Sequence, residues 1–313
     1  MKFSVVIPLY NKRAYIARCL QSVFEQTHVD FDLVVVDDGS TDDSECELQR
    51  FRDNRLRCIH QANQGVSVAR NNGLAAAHHD VVFFLDADDT WESGFLDKMK
   101  QLVSAYPEAG VYACGTRKVF ANGQVSECAL DISAFVDGTA ILCNYFQTFV
   151  DIKQSPFSNS SFGVRKNVFL MAGEYTAGVK LTEDSDLWVR LALISPIAFD
   201  PTPLANYFVE IENNTRVQAQ TADYEVIRTL KRVLAAGQVS QPRRSGLENL
   251  LALQKHAQIK RLILLGDIHA AWRRLLDADV WKARPLSSLL LAVAASLPRG
   301  TFVWLRRLAA YGR

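Results

Sequence analysis

The sequence predicts an α/β protein: a mainly parallel sheet flanked by helices, followed by a helical C-terminal region. Three observations predict it. Short apolar runs of strand length alternate with stretches of helical spacing over residues 3–106, the pattern of βαβ units with right-handed crossovers. The predicted strands end in polar or acidic residues after short connections. Beyond about residue 216 only helical periodicity remains.

The elements follow in order. Residues 3–7, FSVVI, form a first strand closed by Pro8, and Tyr15, Ile16, Cys19, Leu20, Val23 and Phe24 mark a helix over 13–26. Residues 31–36 form a second strand ending in Asp37-Asp38-Gly39-Ser40, and Thr41 opens a second helix. A short strand over 56–60, an alanine-rich helix over 66–77, a strand over 81–85 and a helix over 93–106 complete the alternation. In such sheets ligands collect at the carboxyl ends of the strands. Those ends carry Pro8-Leu9-Tyr10-Asn11, Asp37-Asp38, Asn63-Gln64-Gly65 and Asp86-Ala87-Asp88-Asp89.

After Gly110 the pattern changes. Residues 111–125 read as a hairpin turned at Asn122-Gly123. A helix is expected over 133–150, a strand over 158–164 and a helical turn over 167–172 stopped by Gly173. Thr182 then caps a helix whose first turn holds Glu183, Asp184 and Asp186, with Leu187, Trp188, Leu191 and Ala192 at helical spacing. In the tail, Ser245 to Glu248 is a candidate capping box, Gly266 a stop, and 267–277 a further helix. The expected division is 1–215, with a nucleotide-binding part over 1–110 and an acceptor part over 111–215, then a basic helical region over 216–313.

Composition narrows the classes. Of 313 residues, 49% are hydrophobic and 22% charged, an ordinary globular balance. Six cysteines lie scattered without a C-x-x-C pair, and no histidine spacing suggests zinc, so free thiols in a reducing cytosol are expected. No leader is read at Met1, and the apolar run over 286–297 is too short to span a bilayer. The net charge of +1 hides an asymmetry: residues 1–215 carry 18 Lys+Arg against 28 Asp+Glu, and residues 216–313 carry 17 against 6. The acidic front argues against nucleic acid as its ligand. The basic tail suits either a solvated helical face or an acidic surface such as a membrane.

The stretch 81–91, VVFFLDADDTW, sets the question of function. Three carboxylates cannot sit inside a buried strand unpaired, so they belong at its mouth. One reading is a polar strand end with a helix cap; the other is a divalent-metal site holding a nucleotide diphosphate. Asp37-Asp38 and Glu183-Asp184 have equally plain readings as a turn and a helix start. Arg70 and the Gly65 loop would supply positive charge and free N–H groups beside them.

SVVIPLYN, VVVDDGSTDDS, NQGVSVARNNGL, FLDADD and LTEDSDLWVRL, in this order, resemble the inverting glycosyltransferases of family 2, which have the GT-A fold. The resemblance covers about residues 1–200. It implies that Pro8, Leu9, Tyr10 and Asn11 line the nucleotide pocket and that Asp37 and Asp38 face base and ribose. It implies that Arg70 lies near the diphosphate and that Asp86-Ala87-Asp88 is a DXD element. There Asp86 would face ribose or metal, and Asp88 would bind Mg²⁺ or Mn²⁺. Asp184 is the implied general base, Trp188 shapes the acceptor site, and Glu183 is expected to raise the pKa of Asp184. Asp89 stays open between a supporting role and the helix cap. Many family members carry His or Arg after a Tyr in the strand following the Glu-Asp helix; here Tyr207 is followed by Phe208-Val209-Glu210, and Arg216 is the nearest basic candidate.

The expected activity is transfer of a sugar from a nucleotide-diphosphate donor, a UDP-sugar first, to a hydroxyl of a saccharide or lipid-linked acceptor, in surface polysaccharide or glycolipid assembly. The rival is a non-catalytic nucleotide-sugar-binding or scaffold protein on the same fold. A dinucleotide-dependent dehydrogenase lacks its G-x-G-x-x-G, and a nucleotidyltransferase its glycine-rich loop. The expected location is the cytoplasm, peripheral on the inner face of the cell membrane. There the basic segment 301–313, with Phe302, Trp304, Leu305 and Leu308, would either touch lipid or pack on its own domain.

Overall fold

The computed structural model of the chain describes residues 1–127, 140–142, 144–179, 181–209, 224–277, 280–281 and 284–296. They belong to two compact units, Met1–Asn214 and Thr215–Arg313.

In the first unit, β1 (Phe3–Leu9), β2 (Phe31–Asp37), β3 (Leu56–His60) and β4 (Val81–Phe84) pair in parallel in the order β3-β2-β1-β4. Every residue of β1, β2 and β4 is buried, as largely apolar strands covered on both faces must be, and the buried Ser4 of β1 donates to Asp32 of β2. The crossovers are α1 (Arg13–Phe24), α2 (Ser44–Leu48) and α3 (Val66–Ala76). The second helix begins at Ser44, three residues later than its expected start, because Asp42 accepts from the Ser44 N–H at 3.1 Å and holds the preceding turn. Gly73 lets α3 lie against the sheet: a Cβ there would come within 2.3 Å of Val6 Cγ1.

Beyond β4 the sheet becomes mixed. After the short β5 (Thr90–Trp91) and α4 (Phe95–Ala105), β6 (Val111–Phe120) turns at Asn122-Gly123 into β7 (Val125–Glu127), the expected hairpin, with Gly123 at φ +79°. Asn144 caps α5 (Tyr145–Ile152) by accepting from the Gln147 N–H at 3.2 Å. Of the helix expected over 133–150, residues 133–139 and 143 lie outside the described residues; 140–142 are not helical, because Ile141 pairs with Ala198, and the helix begins at Tyr145. Asn159–Ser161 form a 3₁₀ turn with reciprocal capping between Ser158 and Ser161, so the following strand β8 (Phe162–Arg165) is shorter than expected. β8 enters antiparallel between β4 and β6. After α6 (Lys166–Ala172) and α7 (Glu183–Ile194), β9 (Ile197–Val209) runs parallel to β6 and pairs β5 at its far edge. Gly163 packs against the Phe83 ring, closing β8 onto β4.

The second unit is helical among its described residues: α8 (Glu225–Ala236), α9 (Gln241–Leu265), α10 (Ile268–Leu275) and α11 (Pro285–Ser296). Ser245 is not a cap. α9 starts four residues earlier, with Ser240 at the N-cap and Pro242 in the first turn, where its missing N–H costs nothing. Gly266 at φ +80° ends α9, and Asp267 caps α10 by accepting from the Ala270 N–H at 3.0 Å. Ile259, Leu262, Ile263, Ala270, Ala271, Leu275, Val280 and Ala295 form its core. Among the described residues no helix is long and apolar enough to cross a membrane. Cys19, Cys46, Cys58 and Cys114 are free thiols. Segment 301–313, Arg216, Cys128 and Cys143 lie outside the described residues.

Candidate active site at the carboxyl edge of the sheet

Parallel pairing of β1, β2 and β4 brings their acidic ends to one edge, and the residues there divide into those that build it and those left to act. Asp38 builds. Its buried carboxylate accepts from Gln61 Nε2 at 2.7 Å, Gln64 N at 2.8 Å and Gly65 N at 2.8 Å, fixing the loop that starts α3. Asp37 accepts from Ser40 N at 3.0 Å and lies 3.3 Å from His60 Nδ1. Asn11, at φ +51°, accepts from Thr41 N at 2.7 Å, and its own N–H donates to Ser40 Oγ. Pro8 and Leu9 are buried in β1, and Tyr10, 46% exposed, is the side chain of this group that faces solvent.

Asp89 also builds. It is buried, accepts from Ser160 Oγ at 2.5 Å and Phe208 N at 3.1 Å, and so ties the end of β4 to the 3₁₀ turn and to β9. It caps no helix, since Gly94 precedes α4. Burial first, then Asp86 and Asp88, pushes its carboxyl well above the usual range. Ala87 is part of the core beneath the edge.

Asp86 and Asp88 face outward with one oxygen each engaged. Arg70 Nη2 donates to Asp86 Oδ1 at 2.6 Å, and Lys12 Nζ to Asp88 Oδ2 at 2.5 Å. Arg70, 3% exposed, is the hub. Its Nη1 lies 3.7 Å from Glu183 Oε1, and its guanidinium sits over the Tyr175 ring. With its amide turned, Asn159 accepts from both Arg70 Nη groups and donates to the Tyr175 hydroxyl. One buried cation thus joins the strand-end carboxylate to the start of α7.

The chain enters α7 through Thr182 at φ +63°, a conformation β-branched residues rarely adopt. Its buried hydroxyl has no partner among the described residues. Strain of this kind is retained where surroundings over-determine it, and here it sets Glu183 and Asp184 at the helix mouth. Asp184 Oδ1 accepts from Ser185 N at 2.6 Å. Burial pushes the Glu183 carboxyl up, adjacent Asp184 pushes it further, Arg70 pulls it back, and the result is about 7. Asp186 stands apart, accepting from Arg190 at 2.8 and 3.0 Å within α7. Trp188 packs on Phe157 and Phe162, and its buried indole N–H has no partner among the described residues.

Lys12, Asn159, Ser160 and Tyr175 were not anticipated. Lys12 lies between two motifs, Asn159 and Ser160 fall in the stretch expected to be a strand, and Tyr175 lies in the connection between α6 and α7. Arg18 also reaches the edge, donating to the Asp88 carbonyl at 2.8 Å and stacking on Phe208. No group of three or more His, Cys, Asp or Glu converges as a metal cluster among the described residues. A Mg²⁺ or Mn²⁺ ion that takes most of its ligands from phosphates and water needs only one or two carboxylates, and the outward oxygens of Asp86 and Asp88 fit that set.

Residues 4–137 match the family model described as Glycosyl transferase family 2. An uncharacterized glycosyltransferase of Nostoc sp. is 44% identical over 114 residues, 36% of this chain and 35% of the relative. Glycosyltransferase GlyG of Streptococcus pneumoniae is 35% identical over 103 residues, 32% of this chain and 34% of the relative. The chain thus aligns with about a third of the length of these curated relatives. Among solved structures, S. aureus TarS 1-349 in complex with UDP-GlcNAc superposes with TM-score 0.66 at 20% identity, covering 98% of this chain and 92% of that one. Mannosyltransferase PcManGT from Pyrobaculum calidifontis, in complex with GDP-Man and Mn²⁺, superposes with TM-score 0.60 at 19% identity, covering 97% and 82%. The sheet order and the sequence match agree: residues 4–137 match glycosyl transferase family 2, and the chain has the GT-A fold.

Proposed function

We propose that the protein is an inverting glycosyltransferase, taking a sugar from a nucleotide-diphosphate donor to a hydroxyl of a saccharide or lipid-linked acceptor. The observation that carries this reading is the Arg70 bridge between Asp86 and Glu183, which sets a donor edge and a proton-accepting helix start around one centre. UDP-sugars are the first donor class to try, since the TarS structure binds UDP-GlcNAc.

The roles follow from the free atoms. Tyr10 and Asp37 border the place for base and ribose, with Asp38 holding the loop beside them. Asp88 and Asp86 would hold Mg²⁺ or Mn²⁺, which when bound supplies positive charge against the departing diphosphate. Lys12 and Arg18 add permanent positive charge at Asp88 and answer the absence of a basic residue after Tyr207. Asp184 Oδ2 makes no hydrogen bond among the described residues, whereas Glu183 is drawn toward Arg70. Asp184 therefore takes the proton of the acceptor hydroxyl as its oxygen bonds to the anomeric carbon. The carbon–oxygen bond to the phosphate breaks, its electron pair leaves with the nucleoside diphosphate, and the anomeric centre inverts. General-base help of this kind is worth ~10²–10⁴-fold. The basic residues after 215 suit a station at the anionic inner face of a cell membrane.

The test is a donor screen with Mn²⁺ present, reading release of nucleoside diphosphate for the wild type and Asp88→Ala. Metal-dependent release in the wild type, lost in the variant, is expected. A protein that binds donors but releases nothing with any acceptor is a binding or scaffold protein instead.

A further inference from the structure

α11 is built inside out. Ser288 is buried: its hydroxyl lies within hydrogen-bonding distance of the Val280 and Arg284 carbonyls and 2.9 Å from His256 Nε2. Leu291 packs against the unit's core, but the other large aliphatic residues face away from it. Leu286 is 78% exposed and Leu290 70%, with Leu289 and Val293 also exposed, at the i, i+3, i+4, i+7 spacing of one helix face. Residues 285–296 contain no charge. Nearby in sequence, Leu276 is exposed and Trp272 and Trp281 are each partly so. A contiguous apolar face of this kind marks an interaction site.

The charge flanking it in the sequence selects the partner. Residues 272–313 carry eight Lys+Arg against two Asp+Glu, and Arg273, in the last turn of α10, is exposed. A second copy would bring the same positive charge against itself. An anionic bilayer offers opposite charge to the basic residues and hydrocarbon to the leucines, with tryptophan suited to the boundary between them. We propose that the 286/289/290/293 face of α11 is a membrane-docking surface that inserts shallowly into an anionic lipid leaflet. This rests on the membrane station proposed above and moves its contact from the 301–313 segment to α11.

The test uses the full chain and vesicles of phosphatidylcholine with and without phosphatidylglycerol, read by co-sedimentation. The wild type is expected to pellet with the phosphatidylglycerol vesicles. Leu286→Ser/Leu290→Ser is expected to bind about tenfold or more weakly, as loss of two buried leucines implies, with unchanged thermal unfolding and unchanged release of nucleoside diphosphate from a soluble donor. Binding of the double variant at wild-type strength overturns the assignment to α11 while leaving the membrane station intact, as does loss of binding on truncation after Ser296 with the double variant unaffected. A wild type that ignores both vesicles, or that forms a dimer dispersed by the double variant, overturns the membrane partner itself. None of these results bears on the transferase reading, which nucleoside diphosphate release reports separately.

Discussion

Replacing Arg70 by methionine tests the centre of the site, because it keeps the length of the side chain and removes only the cation. In the wild type that cation stands 2.6 Å from Asp86 and 3.7 Å from Glu183. Removing one partner of a buried ion pair typically costs ~3–5 kcal/mol, because the other charge stays buried. Asp86 keeps 28% of its side chain in solvent, so the lower end, about 3 kcal/mol, is expected here. For a unit of this size that is a drop of about 6–12 °C in Tm. The loss also depends on pH. Arg70 opposes the rise of Glu183 to about 7; without it the carboxyl rises further, so the variant goes on losing stability above pH 7 where the wild type has levelled off. The deficit should therefore be larger at pH 8 than at pH 6. Thermal unfolding at both values, with nucleoside diphosphate titration beside it, reads the effect. A variant within about 2 °C of wild type at both, on the same scale, and with unchanged nucleotide affinity, would refute the role given to Arg70.

Three further outcomes follow from the same edge. Glu183 has its folded pKa raised from 4.5 to about 7, so the folded state holds a proton the unfolded chain has lost between those values, and stability falls as pH rises across them. Glu183→Gln should lack that fall, gaining about 3 kcal/mol on the wild type between pH 4.5 and 7 in urea unfolding; parallel pH curves would contradict it. Asp89→Asn should cost about 1 kcal/mol or less, since burial already disfavours the charge, whereas Asp89→Ala should cost about 2–4 kcal/mol by leaving Phe208 N–H and Ser160 unpaired; a well-folded Asp89→Asn that cannot bind donor would make Asp89 a ligand instead. Lys12→Met should leave stability within about 1 kcal/mol, because its pair with Asp88 is partly solvated, yet weaken nucleoside diphosphate binding; unchanged binding would remove Lys12 from the site.

The parts of the fold legible in the sequence are those where one local rule decides. β4 is an uninterrupted apolar run, β1 and β2 are apolar apart from Ser4, Asp32 and Asp37, and only a doubly covered sheet accepts such strands. The carboxyl edge follows from their parallel order. What was not legible depends on distant partners. Asp86 and Asp89 sit in one tetrapeptide with the same side chain. Asp86 turns to Arg70 and solvent, while Asp89 is buried because Ser160 and the Phe208 N–H wait for it. No local pattern distinguishes them. Ser245 has a good capping sequence, but Pro242 and Ser240 begin the helix first. The mixed half of the sheet was hidden because β8 reaches β4 across a long connection rather than by a crossover helix.

If this edge separates donor binding from proton removal, Asp184→Asn keeps the first and loses the second. Donor affinity is measured by calorimetry with a non-hydrolysed nucleoside diphosphate, and turnover by its release from the donor in the presence of acceptor. Binding within about threefold of wild type is predicted, because among the described residues Asp184 makes no hydrogen bond or ion pair to the donor edge, together with a loss of ~10²–10⁴-fold in turnover. Turnover at the wild-type rate, or loss of donor binding in step with turnover, would contradict it.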